Sequence, residues 1–484
     1  MLSRRGFIGG SLAVGIAPFA RAEASEPPPT VLRLERRSIE VNGKPVSVLG
    51  IRQPDGPFGI ETEIGKPFRV RVENRLSEPS LIHWHGLTPP WRQDGVPGVS
   101  GPPIPAGANA DYDFPLPFGG TFWMHSHQGL QEQLLLSAPL IIRGDGDRAD
   151  EQDVVLMLAD FSFTPPEEIY ERLRNGGGMA AMNHAAMNHS AMSPAEHAAM
   201  MAAHPDMPMP KAPAGPDLND VKYDAFLANE RTLADPEIVK VEPGRPVLLR
   251  VINGSSMSAY HIDLGQLKGD LIAVDGRRVA PVKGRSFPIA VAQRLDIRLA
   301  IPQGAAAYPV LALLEGERKQ TGVILVAGRG YVSRTPELAD AASPPLTLEL
   351  ESQLQTAEPL RPREADRTHT LNLTGEMTGY RWSINGVAWT EETPPLPVAE
   401  GERVELIFVN KTPMPHPMHL HGHVFQVVAI NGNRFAGAVR DTVLVPPETS
   451  VTVAFDANNP GWWALHCHML YHMEAGMFTT IRYV

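Results

Sequence analysis

His466-Cys467-His468, followed by His472 and Met477, places the only cysteine of the chain between two histidines. On a β-strand successive side chains alternate faces, so Cys467 would point one way and His466 and His468 the other. One strand can then touch two metal centres, with its own backbone as the covalent link between them. A thiolate, imidazoles and a weak thioether are the donors of a blue copper electron-transfer site. The flanking histidines need a second centre, whose remaining ligands must come from elsewhere in the chain.

Those ligands are conspicuous. The chain holds 17 His in 484 residues, and random placement would give about 0.6 His-x-His pairs. There are five, at 83/85, 125/127, 419/421, 421/423 and 466/468. Residues i and i+2 of a strand share a face and can approach one metal cluster. Two pairs lie early in the chain and three late, so a cluster that uses them all must sit between its first and last parts.

The elements that position them read as all-β: Val-, Ile-, Leu- and Phe-rich runs separated by turns, with 43 Gly and 47 Pro. A repeat sets the domain count. Gly65-Lys66-Pro67 through Asn74 recurs from Gly244 to Asn253 and from Gly401 to Asn410, with Asn nine positions after Gly each time. The first copy precedes His83-Trp84-His85, and the third precedes His416 through His423. The middle copy offers only His261, read as a hydrogen-bonded structural residue. Three β-sandwich domains follow: 28–165, 216–328 and 345–484, the middle one without metal.

His83-Trp84-His85-Gly86, His125-Ser126-His127, His416-Pro417-Met418-His419-Leu420-His421-Gly422 and His466-Cys467-His468-Met469-Leu470-Tyr471-His472 together resemble the four copper-binding motifs of the multicopper oxidases. That family includes laccases and bacterial cuprous oxidases. The resemblance covers essentially the whole mature chain and implies three cupredoxin-like Greek-key sandwiches and four copper ions. It implies a type 1 copper held by His416, Cys467 and His472, with Met477 as weak axial ligand, and a type 2 copper on His83 and His419. The type 3 pair would take His85, His125 and His466 on one ion, and His127, His421 and His468 on the other. His369 and His423 are left over and read as structural. Electrons would pass from the type 1 copper through Cys467 to His466 or His468, and four of them would reduce dioxygen to water. The thioether of Met477 implies a modest potential, because it donates to the oxidised ion.

Protons are needed as well. Asp94, nine residues after His85, resembles the acid beside the trinuclear cluster of bacterial relatives, where a carboxylate can relay protons. Asp94-Gly95 is equally the signature of a turn. Several relatives carry Glu directly after the second type 1 histidine, but here that position is Met473 and the acid is Glu474.

The N-terminus reads as a targeting segment. Ser3-Arg4-Arg5-Gly6-Phe7-Ile8, an apolar run through Phe19 and Ala20-Arg21-Ala22 form a twin-arginine export signal over residues 1–24, which implies a periplasmic location. The run falls short of the roughly 18 residues that a membrane span needs, and no later run reaches it. One cysteine excludes an internal disulfide. A net charge of −11 leaves no footprint for nucleic acid.

Between 166 and 215 a Met/His-rich linker is expected. Eight of the 18 Met lie from Met179 to Met209 with His184, His189, His197 and His204. Exposed thioethers favour Cu(I), so the segment reads as an additional Cu(I)-binding stretch within a flexible linker. Cuprous oxidases carry their Met-rich insert later in the chain. Met414, two residues before His416, matches a methionine near the substrate copper of those relatives, but the acid expected two positions earlier is Thr412.

The reading is an exported oxidase that couples oxidation of Cu(I) or small reductants to water formation, in copper tolerance. The alternatives are a laccase-like phenol oxidase or Mn(II) oxidase, and a copper-storage protein.

Overall fold

A computed structural model describes residues 28–144, 146–176 and 218–484. The proposed export signal and the Met179–Met209 stretch lie outside them. Six sheets pair into three sandwiches, so the fold is all-β with three cupredoxin domains. Among the described residues no helix is long and apolar enough to cross a membrane.

The repeat has one structural meaning in all three domains. Its strands, Pro67–Asn74, Pro246–Asn253 and Arg403–Asn410, each run parallel to an earlier strand and antiparallel to a later one. The leading glycines Gly65, Gly244 and Gly401 have φ of 80°, 76° and 85°, a left-handed turn that an L side chain resists. The closing asparagines are buried cross-links. Asn74, Asn253 and Asn410 each accept a bond from the backbone N–H two residues on, and each amide donates to a carbonyl four or five residues on, that of Glu78, Ser258 or Met414, in the loop that follows. That loop is the one that leads into the ligand-bearing strand in the first and third domains.

The parallel partner of Pro246–Asn253 is Gln152–Phe161. This strand, expected in the first domain when 28–165 is read as one unit, is hydrogen-bonded into the second sandwich instead. Parallel pairing needs no turn beside it, so nothing local in the sequence announces the partner.

The histidine motifs occupy adjacent strands. Ile82–His85 pairs with Gly120–Ser126, opposing His83 to His125. His416–Leu420 pairs with Trp462–Cys467, opposing His419 to His466 and Met418 to Cys467. All of these strands are buried along nearly their whole length, which keeps water away from the side chains they carry.

Candidate metal centre

The ten expected histidines and Cys467 are all buried, and they gather into close groups whose ligand atoms lie within 4.8 Å of one another. His416, Cys467 and His472 form one. The sulfur lies 3.6 Å from His416 Nδ1 and 3.8 Å from His472 Nδ1, and the two nitrogens are 3.2 Å apart. Met477 is fully buried, and its carbonyl accepts a bond of 3.0 Å from the Cys467 N–H, which holds the two residues side by side. Burial pushes the Cys467 thiol up, so a metal bound here must displace its proton.

On the opposite face are two histidine triads: His85, His125 and His468, and His127, His421 and His466. His466 and His468 thus change places relative to the sequence expectation. The strand ends at Cys467, and beyond it the chain turns so that the His468 N–H reaches the Pro417 carbonyl at 2.7 Å. Both rings still lie opposite Cys467, as alternation requires, and the packing of the first domain against the third decides which triad each one joins. His83 and His419 face each other with Nε2 atoms 3.5 Å apart. Domains one and three both contribute to every histidine group across the interface.

The donors fit copper. His85 Nδ1, His125 Nε2 and His468 Nε2 are buried without a hydrogen-bond partner, and they belong to one triad. Orphaned nitrogens are costly in a dry interior unless a cation takes their lone pairs. In the other triad His466 Nε2 lies 2.9 Å from His421 Nε2 and 3.3 Å from His127 Nε2. Burial first, and mutual repulsion second, hold all six rings of the two triads well below the usual histidine range, even where a carboxylate lies beside the ring. Neutral imidazoles are the form that binds metal.

Eight of the ten rings are aimed by the second nitrogen, which fixes the tautomer. His421 Nδ1–H donates to Asp94 Oδ2 at 2.8 Å, and His83 Nδ1 lies 2.9 Å from the Asp94 carbonyl and 3.2 Å from its Oδ1. Asp94 is therefore in the site, and it is a turn residue too. Gly95 has φ 83°, and a Cβ there would sit 1.9 Å from the Ile82 carbonyl oxygen.

Several partners carry no motif and escaped the sequence reading. His125 Nδ1–H donates to the Ser126 carbonyl at 3.1 Å, with a Glu132 carboxylate oxygen 2.7 Å from the same nitrogen. His85 Nε2–H donates to Asp441 at 3.1 Å, and His419 Nδ1–H donates to the Asp441 carbonyl at 2.9 Å. Arg294, from the middle domain, donates to the same carboxylate at 2.8 Å and is fully buried. At the Cys467 group, His472 Nε2–H donates to Asp220 at 2.8 Å, and Tyr380 Oη–H donates to the same oxygen at 2.6 Å. His416 Nε2–H donates to Thr412 Oγ1 at 2.7 Å. Glu474, the displaced acid, joins no metal group among the described residues, and burial raises its pKa. A second buried carboxylate against the cluster comes from Glu132 instead. The three leftover histidines have ordinary bonds: His261 to the Pro344 carbonyl, His369 to that of Pro397, and His423 to Tyr483 Oη.

Comparison with known proteins agrees with this arrangement. Three multicopper oxidase family models match residues 37–147, 152–327 and 362–484. Multicopper oxidase MmcO of Mycobacterium tuberculosis is 30% identical over 100% of this chain and 97% of its own length. Copper resistance protein A of Escherichia coli is 27% identical over 99% of both chains. Among solved structures, Fet3p, a multicopper oxidase that functions in iron import, superposes with a TM-score of 0.75 at 18% identity, covering 94% of this chain and 90% of its own. The laccase of Botrytis aclada gives 0.73 at 22%, covering 94% and 88%; at these identities the two structures speak to the fold alone. Matched in all three domains and along nearly its whole length, the chain belongs to the multicopper oxidases and is an oxidoreductase that uses dioxygen as its acceptor.

Proposed function

We propose that this protein is an exported oxidase that couples one-electron oxidation of Cu(I), or of another small reductant, to four-electron reduction of dioxygen to water, in the service of copper tolerance. The observation that carries the reading is the division of donors around one strand end. Cys467 joins His416 and His472, while its neighbours His466 and His468 each complete a histidine triad.

In this reading His416, Cys467 and His472 would hold a type 1 copper, with Met477 as a further weak donor beside them. His83 and His419 hold the type 2 ion. The type 3 pair sits on His85, His125 and His468, and on His127, His421 and His466. Bound copper supplies redox cycling, so that electrons taken singly can be given to dioxygen in fours. The chain supplies the rest. The peptide through Cys467 is the covalent connection between the two ligand sets. Asp94 orients His421 and His83, and its buried Oδ1 makes no hydrogen bond, so it can hold a proton for the water being formed.

Copper tolerance is supported by the near full-length similarity to copper resistance protein A and by the soft Met/His-rich composition of 179–209. The Ser3–Ile8 signature supports export to the periplasm.

The test is oxygen uptake by the copper-loaded protein, with Cu(I) or a dimethoxyphenol as electron source. Fast uptake with Cu(I) and slow uptake with the phenol is the expected result. The reverse would make the protein a laccase-like phenol oxidase, and no uptake with either would favour copper storage.

Asp94→Asn is expected to slow oxygen reduction by roughly 100-fold, the lower range of general acid–base contributions, while the blue absorbance stays. Asparagine keeps an oxygen for the His421 N–H but cannot carry the proton. An unchanged rate at saturating reductant would leave Asp94 with its turn alone.

A further inference from the structure

His416 and His472 are fully buried, and the outer nitrogen of each is already bonded, to Thr412 Oγ1 and to Asp220. Neither ring offers an open edge to a donor in solution. Electrons must therefore cross protein to reach the Cys467 group. Transfer weakens steeply with each gap between packed groups, and aromatic rings in contact bridge it better than saturated side chains.

One run of rings leads outward. Trp382 stacks on His472 with centroids 3.9 Å apart, and its edge meets His416 at 5.3 Å, so both imidazoles share it. Tyr380 lies 5.9 Å from Trp382 and 6.0 Å from His472. Tyr170 lies 6.4 Å from Tyr380. Tyr380 and Trp382 are buried, whereas Tyr170 is half-buried on the helix Pro166–Arg174 and faces the surface. The Arg174 guanidinium lies 5.8 Å from the Tyr170 ring, and the Glu474 carboxylate acts on the same ring with the opposite sign.

We propose that Tyr170, Tyr380 and Trp382 form the route by which electrons reach the Cys467 group, with Tyr170 the ring that the reductant touches. The inference rests on the type 1 reading of that group. The donor loses one electron, the bound metal gains it, and the rings are left unchanged, with no bond made or broken in the protein. Asp220 acts as a positioning residue, since its single oxygen fixes Tyr380 against His472.

The experiment is anaerobic stopped-flow reduction by hexacyanoferrate(II), followed by loss of the blue absorbance. Tyr170→Leu, which keeps the apolar contact and removes the ring, is expected to slow bleaching about ten-fold, and Tyr170→Phe to retain the parental rate. The reduction potential and the copper EPR spectrum should match the parent in both variants. A parental rate in Tyr170→Leu would overturn the route, and so would equal losses in the two variants. A parent protein that loads copper without blue absorbance would instead overturn the type 1 reading beneath it, so the two failures are told apart.

Discussion

Cys467→Ser is expected to abolish both the blue colour and turnover of the copper-loaded protein, by visible absorption and oxygen uptake. The sulfur lies within 4 Å of two imidazole nitrogens in a fully buried pocket, where the soft thiolate is the donor suited to both oxidation states of copper. A serine hydroxyl is a hard donor and does not ionise there. Serine is also smaller by little, so the pocket survives: the cost is a buried hydroxyl with poor partners, about 1–3 kcal/mol. The histidine triads should still load metal, which EPR can count separately. Appreciable turnover in the variant would remove Cys467 from the path between donor and dioxygen.

Arg294→Met is expected to produce the largest loss of stability. Arg294 is fully buried, donates to Asp441, and has Asp275 at 3.7 Å. Arg440 bonds Asp275 at 2.9 Å on the far side, so the cluster joins the second and third domains. Burial alone would lower the Arg294 pKa and raise that of Asp441, but each is held in its charged form by the other. Removing one member of such a pair costs about 3–5 kcal/mol, because the remaining charge stays in a dry interior. The melting temperature reads this loss. Asp441 also aims His85 and His419, so the copper content of the histidine cluster should fall with it. Adding Asp441→Asn removes the stranded charge and should recover part of the stability, a coupling that a double-mutant cycle measures. Simple additivity of the two substitutions would contradict the pairing.

The two outcomes differ in how far the sequence foretells them. Cys467 was legible because its ligand set is nearly local: Cys467, His472 and Met477 lie within eleven residues, and only His416 comes from afar. Arg294 was not, because nothing around it distinguishes it from any strand arginine. Its partner is 147 residues away, and the pairing exists only once two sandwiches meet. Asp220 and Glu132 escaped for the same reason. A carboxylate that orients a histidine needs one good contact, and a single contact leaves no spacing to read. Asp94 lay between these cases: the turn was visible in Asp94-Gly95, whereas the His421 bond spans 327 positions.

By itself the sequence determined the chemistry of the donors, the repeated strand and the three-domain plan. These follow from side-chain identity and short periods, which the chain carries wherever it goes. Only the tertiary structure decided which donors share a centre. It put His468 with His85 and His125, and His466 with His127 and His421, because both rings lie opposite Cys467 and the packing of the first domain against the third decides which partners each one meets. It placed Gln152–Phe161 in the second sandwich through a parallel pairing that no turn foretells. It also brought the middle domain to the metal groups through Arg294 and Asp220, since a buried nitrogen takes whichever acceptor the packing of neighbouring domains delivers.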